Sequence, residues 1–148
     1  MHQKIIKFFL IFLIIFPTST KASSIVMDID SGRILYENNI HEKKLIASIT
    51  KIMTAIIAIE NNDLNKKITV GKEILSMYGT NIYIEVGEII TIKDLLYGLI
   101  LRSGNDSAMA LATATSKTEE KFVELMNDKA KKIGMKNTIF QNCHVVCC

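Results

Sequence analysis

Cysteine is absent from the first 142 residues of this 148-residue chain; all three, Cys143, Cys147 and Cys148, fall at the very end. A disulfide framework spreads its cysteines through the fold, so none is encoded here. A zinc site built from the same tail would need a fourth ligand at suitable spacing. His144 is the one partner within reach on paper, and neither a metal site nor a cofactor is assigned. The chain also lacks a basic stripe interleaved with aromatic residues, which argues against nucleic acid as a partner. It has no polybasic amphipathic helix to hold it on a membrane surface. Internal repeats and low-complexity segments are missing too, so the length points to one small domain.

What basicity there is lies at the start. Lys4 and Lys7 form a short positive region, residues 5–16 are almost wholly apolar, and Pro17, the single proline, ends the run. Thr20-Lys21-Ala22 then places small residues at the two positions that a signal peptidase reads. Residues 1–22 are therefore expected to be a secretory signal peptide, cleaved after Ala22, with the chain exported to the periplasm or the outer cell surface. The apolar run is short for a transmembrane helix, so membrane contact is expected only through an uncleaved leader, if at all. Removing Lys4, Lys7 and Lys21 from the 18 positive residues leaves a number equal to the 15 acidic ones, so the mature chain is near neutral.

Residues 24–29 and 33–37 alternate as strands do, with Asp30-Ser31-Gly32 between them as turn chemistry, and so predict a hairpin. Residues 38–44 read as a loop. From Ala47 to Glu60, apolar side chains spread round most of a helical circumference, which predicts a helix buried at the domain centre. Short extended segments are expected at 68–70, 82–86 and 88–90, and one helical turn at 72–75. Thr91-Ile92-Lys93-Asp94 resembles a capping box and opens a helix that runs to Leu101. Ser103-Gly104-Asn105 interrupts it, and an alanine-rich helix is expected over 106–114. Thr118 caps a last amphipathic helix with Phe122, Leu125, Met126 and Ile133 on one side, and Gly134 is placed to stop it.

Ser48-Ile49-Thr50-Lys51 is where chemistry enters. Residues at i and i+3 share a helix face, so Ser48 Oγ and Lys51 Nζ can meet. A serine hydroxyl becomes nucleophilic when a base takes its proton, and burial makes a lysine such a base by disfavouring its ammonium form. The pair alone is weak, since nine serines and sixteen lysines yield about one such spacing by chance. Taken singly, Ser48 reads as an N-cap, Lys51 as a lysine snorkelling to solvent, and Ser103-Gly104-Asn105 as an inter-helix turn. Glu85 and Glu88 read as exposed charges, His41 as a solvated loop residue, and Tyr78 and Tyr83 as packing residues.

In combination the motifs say more. Ala47-Ser48-Ile49-Thr50-Lys51-Ile52-Met53-Thr54-Ala55 resembles the first motif, with flanks, of the serine D-Ala-D-Ala carboxypeptidases, the low-molecular-mass penicillin-binding proteins of peptidase family S11. Asp94-Leu95-Leu96-Tyr97-Gly98-Leu99-Ile100-Leu101-Arg102-Ser103-Gly104-Asn105-Asp106 resembles the second. Gly134-Met135-Lys136-Asn137-Thr138 and Phe140 match a further recurrent stretch. The resemblance implies an α+β, β-lactamase/transpeptidase-like fold: an antiparallel sheet flanked by helices, with a helical subdomain. It implies Ser48 as nucleophile, Lys51 as general base, Ser103 as proton relay and Asn105 as the residue holding Lys51 and the substrate amide. Its substrate would be the peptidoglycan pentapeptide, and β-lactams would be covalent inhibitors.

The family's third motif, Lys-Thr-Gly, occurs nowhere in this sequence. After Gln141-Asn142 the family pattern runs Pro-His-Gly, whereas here Cys143-His144-Val145-Val146-Cys147-Cys148 follows, with His144 in register. The expected organisation is thus a catalytic-domain portion over 23–142 and an aberrant tail over 143–148, explained by a frameshift, truncation or early stop near residue 143. The C-terminal sheet strands would then be missing, and carboxypeptidase activity impaired. Two alternatives stand beside this. A class A β-lactamase-like hydrolase would want Ser-Asp-Asn in place of Ser103-Gly104-Asn105. A non-catalytic exported fragment would need no working site.

Overall fold

Asp28 turns the first hairpin. In the computed structural model, which describes residues 22–144, its carbonyl accepts the Gly32 N–H at 2.9 Å and its carboxylate accepts the Ser31 N–H at 3.2 Å. Gly32 takes φ +69°, a left-handed conformation open to glycine because it has no Cβ. Strand β1 (Ser24–Met27) pairs antiparallel with β2 (Ile34–Asn38), Ser24 opposite Asn38 and Val26 opposite Tyr36, with a bulge between Val26 and Met27. Every residue of both strands is exposed. A lone two-stranded hairpin is marginal in water, and apolar Ile25, Val26, Leu35 and Tyr36 leave both of its faces open for further packing. Apart from Ala22, the leader expected over 1–22 lies outside the described residues.

The hairpin belongs to a first unit, Met1–Lys44; a second unit, Leu45–Cys148, holds the helices found among the described residues. Its helices are α1 (Thr50–Asn61), α2 (Ile92–Arg102), α3 (Asn105–Ser116) and α4 (Glu119–Lys132). Two short strands, β3 (Lys67–Thr69) and β4 (Ile89–Thr91), pair antiparallel with Ile68 opposite Ile90. Helix starts follow the sequence. Thr91 Oγ1 accepts the Asp94 N–H at 3.0 Å, and Thr118 Oγ1 accepts the Lys121 N–H at 3.4 Å. Gly134, at φ +84°, ends α4 as expected.

Two expectations about burial are corrected. The central helix is α3, not α1: residues 105–112 of α3 are all buried, whereas Ile52 and Ile59 of α1 stay half exposed. The alanines explain it. Ala108, Ala110 and Ala112 let α1, α2 and α4 all approach α3 closely, so the helix with the smallest side chains takes the middle. On α4, Phe122, Met126 and Ala130 form the buried stripe at i, i+4 and i+8. Leu125 lies at its margin, and Ile133 falls past the last helical residue and is half exposed.

At Phe140 the chain after α4 is clasped back onto the helix by the Asn127 side chain. Asn127 Nδ2 donates to the Phe140 carbonyl at 2.9 Å, and Asn127 Oδ1 accepts the Phe140 N–H at 2.8 Å. Asn127→Ala leaves both backbone groups unpaired beside a buried Phe140 ring. We expect a loss of about 2 kcal/mol in urea unfolding, together with faster amide exchange at Phe140. Stability within a few tenths of the parent would show that the clasp carries little.

Candidate active site

The expected helix over 47–60 begins three residues late. Ala47–Ile49 is a 3-10 turn, and Ala47 takes φ +45° although it has a Cβ, a conformation that costs a non-glycine residue about 1–2 kcal/mol. This turn sets Ser48, exposed, just before α1, so it is not an N-cap; Ile49 occupies that position. Lys51 is in the first turn of α1 and only 3% exposed. It does not snorkel to solvent.

Ser103 ends α2 in the left-handed region, at φ +57° and ψ +35°, and its N–H donates to the Gly98 carbonyl. Glycine or asparagine is the usual residue in such a cap; a serine here keeps a hydroxyl at the bend. That hydroxyl accepts from Lys51 Nζ at 3.1 Å and donates to Ser48 Oγ at 3.0 Å. Asn105, the first residue of α3, accepts from Lys51 Nζ through Oδ1 at 2.7 Å. The four residues singled out from the sequence therefore form one hydrogen-bonded cluster. Ser48 and Lys51 are joined through Ser103, because the 3-10 turn takes Ser48 off the helical i, i+3 geometry.

Burial lowers the proton affinity of Lys51 below the usual lysine value, while the negative charge of Asp106 and a Cys143 thiolate would oppose that. Among the described residues no carboxylate lies within ion-pairing distance of its amine. Its acceptors are a hydroxyl and an amide, which hold the ammonium less tightly than a carboxylate would.

Sequence reasoning missed the segment that frames Asn105. Asn105 Nδ2 donates to the Tyr78 carbonyl at 2.7 Å, and its N–H to the Thr80 carbonyl at 2.8 Å. The Asp106 carboxylate, buried, accepts the N–H groups of Ile82 at 3.1 Å, Tyr83 at 2.7 Å and Ile84 at 3.2 Å. Residues 82–86, expected as a strand, are consequently not one: their donors are turned onto a side chain, and Tyr83 takes φ +63°. Tyr78 and Tyr83, expected to pack, are 67% and 82% exposed. His41, Glu85 and Glu88 are exposed as expected; the Glu88 carboxylate accepts the Glu85 N–H at 3.0 Å, closing the turn at Gly87.

Cys143 and His144 are buried in the same unit. Thr54 Oγ1, on α1, donates to the Cys143 carbonyl at 2.6 Å, and the Cys143 N–H donates to Glu119 Oε1 at 3.1 Å. Burial pushes the Cys143 thiol far above its ordinary value, which makes it an inert packing group. Burial likewise lowers the proton affinity of His144, against the pull of Glu119, whose carboxylate lies 3.4 Å from Nε2. Residues 145–148 lie outside the described residues. A cavity of about 620 Å³ lined by residues 37–42 contains none of the cluster.

An exposed serine hydroxyl, a bridging hydroxyl and a buried amine are the groups that serine–lysine acyl transfer requires. The family of D-alanyl-D-alanine carboxypeptidases, peptidase S11, matches residues 16–146, and the chain belongs to it. A D-alanyl-D-alanine carboxypeptidase of Bacillus subtilis, DacF, is 41% identical over 125 residues, covering 81% of this chain and 32% of its own length. The crystal structure of DacD from Francisella tularensis superposes with TM-score 0.82 at 33% identity, covering 90% of this chain and 33% of that one. Penicillin binding protein 6B from Escherichia coli gives TM-score 0.79 at 30% identity, over 87% of this chain and 44% of that one. The fold is thus a part of the β-lactamase/transpeptidase-like fold. The chain spans about a third of the length of the curated relatives it matches.

The lowered proton affinity of Lys51 has a measurable consequence. Between its folded value and the ordinary 10.5, the unfolded chain holds more protons than the folded one, so this group makes stability rise with pH across that window. Lys51→Met should remove that rise, read as the difference in melting temperature between the two chains from neutral pH to about pH 10. Parallel curves would contradict it.

Proposed function

We propose that Ser48, Lys51, Ser103 and Asn105 are the acylating site of a serine-type D-alanyl-D-alanine carboxypeptidase acting on peptidoglycan stem peptides. The observation that carries this reading is the unbroken path Ser48 Oγ–Ser103 Oγ–Lys51 Nζ, with steps of 3.0 and 3.1 Å, ending on a buried amine. With Lys51 neutral, the path runs in reverse of its resting direction. Ser48 passes its proton to Ser103 and Ser103 passes one to Lys51, while Ser48 Oγ bonds to the carbonyl carbon of the terminal peptide. The tetrahedral intermediate then expels D-alanine, whose amine takes a proton back through Ser103, leaving an ester on Ser48. Water attacks the ester carbonyl, the bond to Ser48 Oγ breaks, the shortened stem peptide leaves as its carboxylic acid, and a proton returned through Ser103 restores the hydroxyl.

Each residue suits its part. Ser48 precedes α1, where the N–H groups and dipole of a helix start favour negative charge on the attacked oxygen. Asn105 Oδ1 holds Lys51 in place, and its Nδ2 is the group offered to the substrate amide, on release from the Tyr78 carbonyl. β-Lactams would acylate Ser48 by the same attack on a carbonyl carbon, in keeping with the resemblance to penicillin binding protein 6B. Residues 1–22 would export the chain, and 23–142 would be its catalytic-domain portion; among the described residues no helix is long and apolar enough to cross a membrane.

A second reading, the non-catalytic exported fragment, has its own observation: Asn105 Nδ2 is committed to the Tyr78 carbonyl at 2.7 Å, so the chain would engage peptidoglycan without turning it over. A fluorescent penicillin separates the two. The carboxypeptidase reading expects covalent label on the intact chain, none on Ser48→Ala, and labelling slowed about 100-fold or more in Lys51→Ala. Absence of label on the intact chain favours the fragment, and label that survives Ser48→Ala sinks the assignment of the nucleophile.

A further inference from the structure

Asp106 follows Asn105 directly and is buried, yet it contacts no member of the serine–lysine cluster through its carboxylate. Instead that carboxylate collects three successive backbone N–H groups, from Ile82, Tyr83 and Ile84, at 2.7 to 3.2 Å. It also accepts the Ser107 N–H at 2.8 Å, and its own N–H donates to Asn81 Oδ1 at 3.1 Å. Asn81 is in turn tied to the Met77 carbonyl at 3.2 Å. The segment 77–84 is thereby a strap with Asp106 and Asn81 as its fastenings. Two of the carbonyls on this strap, Tyr78 and Thr80, are the acceptors that hold Asn105.

Two further features show that the fastening shapes the chain around it. Tyr83 is held at φ +63°, which a bulky residue keeps only where its surroundings over-determine it, and its N–H makes the shortest of the three bonds. Gly104 makes room for the carboxylate, since a Cβ there would lie 2.9 Å from Asp106 Oδ1 and 3.0 Å from Ser107 Oγ. We propose that Asp106 is a positioning residue: its carboxylate locks the strap of residues 77–84 so that Tyr78 and Thr80 hold Asn105, and Asn105 holds the Lys51 amine beside Ser103 and Ser48. The inference rests on the acylating-site reading only for its effect on rate; its effects on the strap and on Lys51 stand apart from it.

The charge of Asp106 gives a second, separable signature. Lys51 lies in the field of Asp106, which favours its ammonium form, while burial disfavours the thiolate of Cys143 and, against the pull of Glu119, the charged form of His144. Removing the Asp106 charge should move the Lys51 titration to lower pH, a shift that a merely structural role would not produce.

The test uses the whole chain with isotope-labelled lysine, as Asp106→Asn and, separately, Asn81→Ala. Asp106→Asn keeps the shape but sets an NH2 group against the backbone donors. Amide exchange at Ile82, Tyr83 and Ile84 should accelerate about tenfold or more, Lys51 should titrate at lower pH, and acylation by penicillin should slow about tenfold with its pH profile displaced downward. Asn81→Ala leaves the Asp106 charge in place. It should accelerate exchange at the same amides and slow acylation, with the Lys51 titration displaced less than in Asp106→Asn. Parental exchange in a folded Asp106→Asn, or an unmoved Lys51 titration, would overturn the proposal. If Asp106→Asn does not fold, parental exchange in Asn81→Ala overturns it and accelerated exchange supports it. A parent chain that takes no penicillin refutes the acylating-site reading alone, because exchange and the Lys51 titration still decide the role of Asp106.

Discussion

The Lys51 amine is the constraint around which the second unit is arranged. A lysine 3% exposed needs acceptors within the protein, and it has two, Asn105 Oδ1 at 2.7 Å and Ser103 Oγ at 3.1 Å. Both come from the junction of α2 and α3, so the two helices must break next to the start of α1. Ser103 makes the break by adopting the left-handed conformation, and the small residues of α3 allow α1 to come close enough. A carboxylate in either place would bind the amine as a stable ion pair and raise its proton affinity. Neutral acceptors leave it available to take a proton.

Backbone strain recurs around this junction, although Asn39 and Lys117 elsewhere also take positive φ. Ala47, Tyr83 and Ser103 all have positive φ without being glycine. Ala47 precedes Ser48, Ser103 is in the hydrogen-bonded path, and Tyr83 is on the strap whose carbonyls hold Asn105. Such conformations persist where neighbouring bonds over-determine them, and they gather at sites where a side chain must be aimed. Glycine would adopt the geometry of Ser103 more readily, but it would remove the hydroxyl between Ser48 and Lys51.

How much of this was legible in the sequence depended on range. Helix starts at Thr91 and Thr118, the stop at Gly134, the hairpin about Gly32 and the break at Ser103-Gly104-Asn105 follow from neighbours within four residues, and the structure has them all. The four members of the cluster could be named because a family resemblance ties together segments about fifty residues apart. Tyr78 and Tyr83 read as packing residues in the sequence but are exposed in the structure. Aromatic side chains usually pack, but here a carboxylate 23 residues from Tyr83 turns the backbone outward.

By itself, then, the sequence determined local geometry, the Ser48–Lys51 spacing and membership of a family with a recognisable pair of motifs. Tertiary structure alone decided which helix is central, that Ser48 reaches Lys51 through Ser103, and that Asp106 fastens a strap instead of facing solvent. The physical reason is that these outcomes depend on close approach. Whether three N–H groups can converge on one carboxylate, or an alanine-rich helix can be surrounded by three others, depends on distances between segments far apart in the chain. Periodicity and caps carry no record of those distances.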